Sequence, residues 1–189
     1  AFSSAFAVSG IEAFAIDTVA GFGTILKSSQ TTPGQPVVFT VQQSNGQIYL
    51  FDAIANASGV AKHELSDYYT RVSGFYYVSA ELKNSKQAGA PKTFRVYADS
   101  PSPSRSLFQS DHQRILSVKL VDAYGNPVSG HEIRVVSSRS SDVLQSLDRR
   151  SATNIEGIAS FRVDSFVPGL SVYTAYDMTG EIVLDNRVQ

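Results

Sequence analysis

The chain contains no cysteine. Disulfide bonds, thiolate ligands for metal ions and cysteine nucleophiles are therefore excluded together. No stretch approaches the roughly 18 to 20 uninterrupted apolar residues that a membrane-spanning helix requires, so we expect no transmembrane segment. The fold is expected to be held together by packing and hydrogen bonding alone.

Neither sign of charge dominates the sequence. Sixteen Lys and Arg residues stand against seventeen Asp and Glu residues, for a net charge of -1. The chain has no basic block that could neutralise a run of phosphates, so nucleic acid is not an expected partner. Its 189 residues exceed the roughly 100 of one small domain, which favours two domains.

Alternating apolar and polar residues in short runs are the main structural signal. Leu116, Val118 and Leu120 occupy every second position of one run, and Ile133 and Val135 occupy every second position of another. A turn rich in Gly, Asn and Pro separates these two runs. Such short runs, bounded by turn residues, predict an all-β fold.

An internal repeat supports two domains. The segment NASGVAKHEL, from Asn56, matches NIEGIASFRV, from Asn154, so that Gly59 falls on Gly157. Sequence self-similarity at this distance is typical of duplicated structural units.

The repeat extends on both sides of that match. Downstream, GFYYVSA from Gly74 matches GLSVYTA from Gly169, and upstream Gly46 in QQSNG is aligned with Gly125 in VDAYG. On this alignment the second copy carries extra sequence between its middle strands.

These observations define four segments. We predict an apolar N-terminal arm at residues 1–16, a first domain at 17–98, a linker at 99–105 and a second domain at 106–189. The linker, DSPSPSR, contains two prolines that cannot donate ladder hydrogen bonds and that favour extended geometry.

The two copies resemble known bacterial families. VDAYGNPVSGHEIRVV, ATNIEGIASFRV and VPGLSVYTA in the second copy look like the immunoglobulin-like repeats of invasin and intimin stalks. TTPGQPVVFTVQQSNGQIYLF and SGFYYVSAEL in the first copy are similar to macroglobulin-like and immunoglobulin-like domains of bacterial surface proteins. The resemblance implies two tandem immunoglobulin-like β-sandwiches in a secreted, modular protein, and it transfers no catalytic residue.

No pattern of catalytic or metal-binding residues stands out. His63, His112 and His131 lie far apart in the sequence and lack the spacing of metal ligands. No GxSxG motif positions a serine nucleophile. We therefore expect no enzyme activity within these residues, no cofactor and no metal.

Aromatic residues give the first candidate binding site. Tyr68, Tyr76 and Tyr77 crowd two neighbouring segments, and alternation places Tyr76 with Val78 on one strand face and Phe75 with Tyr77 on the other. One of these faces lies outside the core, where tyrosines can bind carbohydrate or protein. The alternative is that the rings simply lie on the sheet surface.

The N-terminal arm is the second candidate. It is apolar, carries one charged residue, and contains Phe2, Phe6, Val8, Phe14 and Ile16. Despite its small apolar residues it lacks the basic start of a signal peptide, so we assign it to the mature chain. We expect it to pack on, or add a strand to, a neighbouring subunit. The alternative is that it forms the first strand of the first domain.

The sequence thus favours a non-enzymatic, extracellular structural or interaction protein: a subunit or stalk segment of a bacterial surface assembly such as a fibre, a pilus-like structure or a surface layer. Its expected partner is protein, most simply further copies of itself or neighbouring domains. Two alternatives are an adhesin or carbohydrate-binding module, and a pair of accessory domains from a larger secreted enzyme.

Overall fold

A computed structural model describes residues 10–111, 113–148 and 150–189. These residues form fifteen β-strands and one 3-10 helix, Asp67–Thr70, and contain no α-helix. The chain divides into two compact units between Tyr97 and Ala98. The all-β prediction is confirmed.

The first unit is a sandwich of two sheets. Its strands are β1 (Glu12–Ala15), β2 (Thr18–Val19), β3 (Thr24–Ser29), β4 (Pro36–Gln42), β5 (Ile48–Ile54), β6 (Lys62–Leu65), β7 (Gly74–Leu82) and β8 (Lys92–Tyr97). One sheet has the order β1-β3-β6, and the other has the order β2-β8-β7-β4-β5.

Alternation along β4 and β7 builds the core of this unit. Val37, Phe39 and Val41 point inward from β4, and Tyr76 and Val78 point inward from β7. They pack against the opposite sheet in one apolar cluster. The outward residues of the same strands remain available for contacts.

The structure assigns the later part of the predicted arm to this sandwich. Glu12–Ala15 forms β1 and pairs with β3, with Ala13 opposite Ser28. Ile11 and Ala13 are buried, whereas Phe14 and Ile16 are exposed. Glu12–Ala15 is therefore a strand of the first sandwich, as in the alternative, while contact of the exposed Phe14 and Ile16 with a neighbouring subunit stays a prediction. Phe2, Phe6 and Val8 lie outside the described residues.

The second unit is also a two-sheet sandwich. Its strands are β9 (Leu107–Ser110), β10 (Ile115–Lys119), β11 (Ile133–Ser137), β12 (Asp142–Ser146), β13 (Ile158–Ser165), β14 (Tyr173–Asp177) and β15 (Ile182–Val183). The sheet orders are β12-β13-β10-β9 and β11-β14-β15. Its core includes the predicted inward residues of β10 and β11.

The Pro- and Ser-rich segment at 99–105 is part of the second unit. Pro101 forms a β-bridge with Asp122, and the Ser102 amide donates to the Val121 carbonyl over 2.8 Å. The Asp99 amide donates to the Asp122 carboxylate over 3.1 Å. Proline has no amide hydrogen to donate, but the neighbouring amides form hydrogen bonds that attach the segment to the second sandwich.

The repeat is visible as equivalent backbone geometry. Gly59 and Gly157 have φ angles of +69° and +75°. A Cβ atom would lie 2.2 Å from the Thr31 oxygen at Gly59 and 2.4 Å from the Leu120 oxygen at Gly157. Only glycine combines this φ with so close a backbone approach, so the same turn is present twice.

The alignment of Gly46 with Gly125 is wrong. Gly46 lies between β4 and β5, whereas Gly125 lies between β10 and β11. Because β3 pairs with β6 as β10 pairs with β13, the loop after β3 is the counterpart of the loop after β10. Gly34, in the loop after β3, is therefore the residue equivalent to Gly125.

Candidate interaction surface

The outer face of the five-stranded sheet in the first unit carries exposed aromatic rings. Phe75 and Tyr77 alternate with buried neighbours along β7 and are 57% and 48% exposed. Tyr77 pairs across β4 with Gln42 and across β8 with Thr93. Because both rings are exposed, a partner can reach this side of β7.

Tyr76 does not belong to this surface. Its ring is buried and lies 5.2 Å from the ring of Phe94, and its hydroxyl donates to the Val72 carbonyl over 2.8 Å. Burial raises the pKa of Tyr76 to about 12. The prediction that Tyr76 is a contact residue is wrong, because alternation turns it into the core.

Arg95 of β8 joins the exposed rings. It pairs across the sheet with Phe75, and its guanidinium carbon lies 5.2 Å from the Phe75 ring centre and 4.7 Å from that of Tyr97. Both distances fit cation–π contacts. We call Phe75, Tyr77, Arg95 and Tyr97 the aromatic face.

An aliphatic stripe on β5 lies on the same side of the sheet. Ile48, Leu50 and Ile54 are 60%, 67% and 71% exposed. Gln42 pairs with both Ile48 and Tyr77, which places the end of the stripe in the same cross-strand row as the aromatic face. Exposed aromatic and aliphatic side chains thus form one extended surface.

Tyr68 belongs to a different cluster. It is exposed on the 3-10 helix, where its ring packs edge-on against Tyr69 at 5.2 Å and contacts the Arg71 guanidinium at 5.4 Å. The three tyrosines predicted as one site are therefore an exposed sheet residue, a core residue and a helix residue.

In the second unit, the carboxylate of Asp142, the first residue of β12, accepts hydrogen bonds from several hydroxyl groups. Its carboxylate accepts bonds from Ser137 over 2.6 Å, from Ser165 over 2.7 Å and from Tyr173 over 3.3 Å. Hydrogen bonds from Ser137, Ser171 and Ser165 hold the pKa of Asp142 well below its ordinary value. The ionised Asp142 carboxylate thus links the ends of β11, β13 and β14 through hydrogen bonds.

A groove of about 530 Å³ borders this cluster and is lined by residues including Arg114, Phe166, Leu170 and Tyr173. Two of the serines that line it, Ser165 and Ser171, donate to the Asp142 carboxylate. The ring nitrogen of His131 instead contacts the buried Asp177 over 2.8 Å. These hydrogen bonds stabilise turns and strand ends.

Across the described residues, no group of three or more His, Cys, Asp or Glu side chains is placed to hold a metal ion. The same part of the chain contains no helix with the length and apolar character needed to cross a membrane. The aromatic face and the adjoining stripe are the candidate site.

Comparison with known proteins finds no matching family model and no match among curated sequences. Among solved structures, InvD of Yersinia pseudotuberculosis is similar at 16% identity with a TM-score of 0.67, over 94% of this chain and 56% of that one. FdeC, an adhesin of Escherichia coli, is similar at 14% identity with a TM-score of 0.59, over 95% of this chain and 61% of that one.

The likeness to both proteins covers nearly all of this chain and therefore both sandwiches. At these identities it establishes the fold alone, which is that of two immunoglobulin-like β-sandwiches in tandem. The chain spans less than two thirds of the length of either protein.

Proposed function

We propose that this chain is a non-enzymatic segment of a bacterial cell-surface protein, located outside the cell, that binds a protein partner through the aromatic face of its first unit. The observation that carries the proposal is the exposed set of Phe75, Tyr77, Arg95 and Tyr97 on one side of the five-stranded sheet. The fold shared with InvD and with the adhesin FdeC supports a role in surface contacts.

The chemistry of the face favours protein over carbohydrate. Aromatic residues and arginine are enriched in protein interfaces and dominate their binding energy. Phe75 and Tyr97 flank the Arg95 guanidinium, so a cation is held between rings and stays available for a carboxylate or carbonyl of a partner. The aliphatic stripe continues the surface with side chains that cannot hydrogen-bond sugar hydroxyls.

The experiment is a binding survey with the purified chain on arrays of extracellular proteins and of glycans. We expect binding to protein, lost in Phe75→Ala and Arg95→Ala and kept in the matched control Tyr124→Ala, which alters an exposed tyrosine of the second unit. Equal loss in the control, or no binding to either array, would overturn the proposal.

Carbohydrate binding is the second candidate, and the exposed rings of Tyr77 and Tyr97 favour it because sugars stack on such rings. Binding to the glycan array that requires these two rings, without binding to protein, would replace the first proposal with this one.

A further inference from the structure

Strand β5 is an open edge of the five-stranded sheet. It pairs with β4 over its whole length of seven residues, and no strand of the described residues pairs with its other side. The opposite edge, β2, has only two residues. A long unpaired strand edge is a template for another strand.

The hydrogen bonds at both ends of β5 show which backbone groups are open. The Gln43 amide donates to the Gln47 carbonyl over 2.8 Å, and the Ala55 amide donates to the Gln35 carbonyl over 2.9 Å. In an antiparallel pair every second residue bonds to its partner, so the odd-numbered residues of β5 bond to β4. The amides and carbonyls of Ile48, Leu50, Asp52 and Ile54 therefore point away from the sheet.

This edge lacks the usual protection against pairing. Sheet edges are commonly blocked by lysine, proline or a bulge. The side chains of the four open residues of β5 are three exposed aliphatic groups and Asp52, and the Asp52 carboxylate is paired with the Lys83 ammonium over 3.1 Å. None of the four is a lysine or a proline, and the single carboxylate among them already has a cationic partner.

We propose that β5 pairs antiparallel with β5 of a second copy of this chain, centred on Phe51. This register sets Ile48 opposite Ile54 of the second copy, and Leu50 opposite Asp52 of the second copy. All four open residues then take part, giving about eight backbone hydrogen bonds between the copies. Each aliphatic pair also adds side-chain contact across the strands.

The neighbouring registers are poorer. Moving the register by two residues in one direction sets Asp52 against Asp52 of the second copy, which like-charge repulsion disfavours. Moving it by two residues in the other direction leaves Ile54 outside the paired region and reduces the number of hydrogen bonds. The sequence of β5 is therefore self-complementary in one register.

Such a dimer joins two sheets into one continuous sheet. The two-fold axis of an antiparallel pair runs perpendicular to the sheet, so both aromatic faces lie on the same side. A partner that displays repeated contact sites would then be bound by two faces at once, which raises avidity. The pairing itself rests on β5 alone and does not depend on what the aromatic face binds.

The test is analytical ultracentrifugation of the whole chain over a wide concentration range. Leu50→Glu places a second carboxylate opposite Asp52 of the other copy, twice per dimer, and we expect dimerisation to weaken about tenfold or more. Leu50→Lys places an ammonium there instead, and we expect dimerisation to be kept or strengthened. Leu50 is largely exposed, so both variants retain the monomer fold.

The matched control is Ile155→Glu, an exposed aliphatic residue of the second unit, which should leave dimerisation unchanged. Hydrogen exchange should show the Leu50 and Asp52 amides protected more strongly as concentration rises. A wild-type chain that stays monomeric at about millimolar concentration, or equal effects of Leu50→Glu and Leu50→Lys, would overturn the proposal. Binding by the aromatic face is measured separately, on the wild-type chain at concentrations too low for dimerisation, so the two proposals fail independently.

Discussion

The two units differ in where the chain goes after its central strand. β4 of the first unit pairs with β7 as β11 of the second pairs with β14, so these strands are equivalent. In the first unit the next strand, β5, pairs back onto β4. In the second unit the next strand, β12, pairs with β13 in the opposite sheet.

The connecting residues account for this difference. In the first unit the turn at Gln43–Gln47 closes with two backbone hydrogen bonds, of 2.8 and 2.9 Å, and Gly46 adopts a φ of +88°. A hairpin this tight returns the chain to the strand it has just left. In the second unit Ser137 ends β11 and donates to Asp142, the first residue of β12, so the chain is held as it crosses between sheets.

The comparison shows that one repeated sequence signature can accommodate two strand arrangements. The shared turn at Gly59 and Gly157 follows the variable strand in both units. The turn determines how the chain enters β6 in the first unit and β13 in the second. It does not determine which sheet the preceding strand joins. That freedom gives the first unit its wide five-stranded sheet, and with it the stripe on β5.

The largest expected effect concerns the feature the two units share. Gly59→Ala and Gly157→Ala force a Cβ against a backbone oxygen in a left-handed conformation, and each should lower the free energy of unfolding by about 2–4 kcal/mol. Urea unfolding followed by fluorescence measures it. Gly34→Ala and Gly125→Ala are controls with positive φ but open space around the added methyl, and should cost about 1 kcal/mol. Equal losses in all four variants would contradict the shared close approach.

Asp142, where the chain of the second unit passes from one sheet to the other, should make the stability of this unit depend on pH. Because the pKa of Asp142 is lower in the folded chain than its ordinary 3.8, its ionised form stabilises the fold above that value. This contribution should be lost progressively as pH falls below about 3.8 toward the depressed folded value. Asp142→Asn should therefore be destabilised at neutral pH and approach the wild type in acid. Urea midpoints between neutral and strongly acidic pH measure the difference.

Ser137→Ala removes the hydrogen bond that contributes most to this pKa shift and serves as the partial variant. It should give a smaller difference from the wild type with the same direction of pH dependence. A difference between Asp142→Asn and the wild type that stays constant with pH would show that Asp142 acts by packing alone.

The comparison also shows what the sequence could reveal. Alternation predicted the inward residues of β10 and β11, because a half-buried strand has a period of two. The match of Gly59 with Gly157 was found because a close backbone approach demands glycine in both copies. The match of Gly46 with Gly125 failed because a glycine turn by itself does not identify the strands it joins. The better signal was GQPV at 34–37 against GNPV at 125–128.

The candidate site was predicted in part. Alternation divided Phe75 and Tyr77 from Tyr76 but could not tell which set faces the core, since both faces of β7 are aromatic. Arg95 and Tyr97 were missed, although they alternate with the apolar Phe94 and Val96 along β8. Their approach to Phe75 depends on the pairing of β7 with β8, which no local pattern specifies.

The smallest expected effect tests whether the ion pair beside β5 helps to keep this strand on β4. Lys83→Ala removes the ion pair with Asp52. The side chain of Lys83 is 54% exposed and that of Asp52 is 72% exposed. Exposed pairs of this kind contribute little because water and salt screen them, so the free energy of unfolding should change by less than about 0.5 kcal/mol. Urea unfolding at low and high salt measures it. A larger, salt-sensitive loss would mean that the Asp52–Lys83 pair adds measurably to the turn at Gln43–Gln47 and to the ladder with β4 in holding β5 in the sheet.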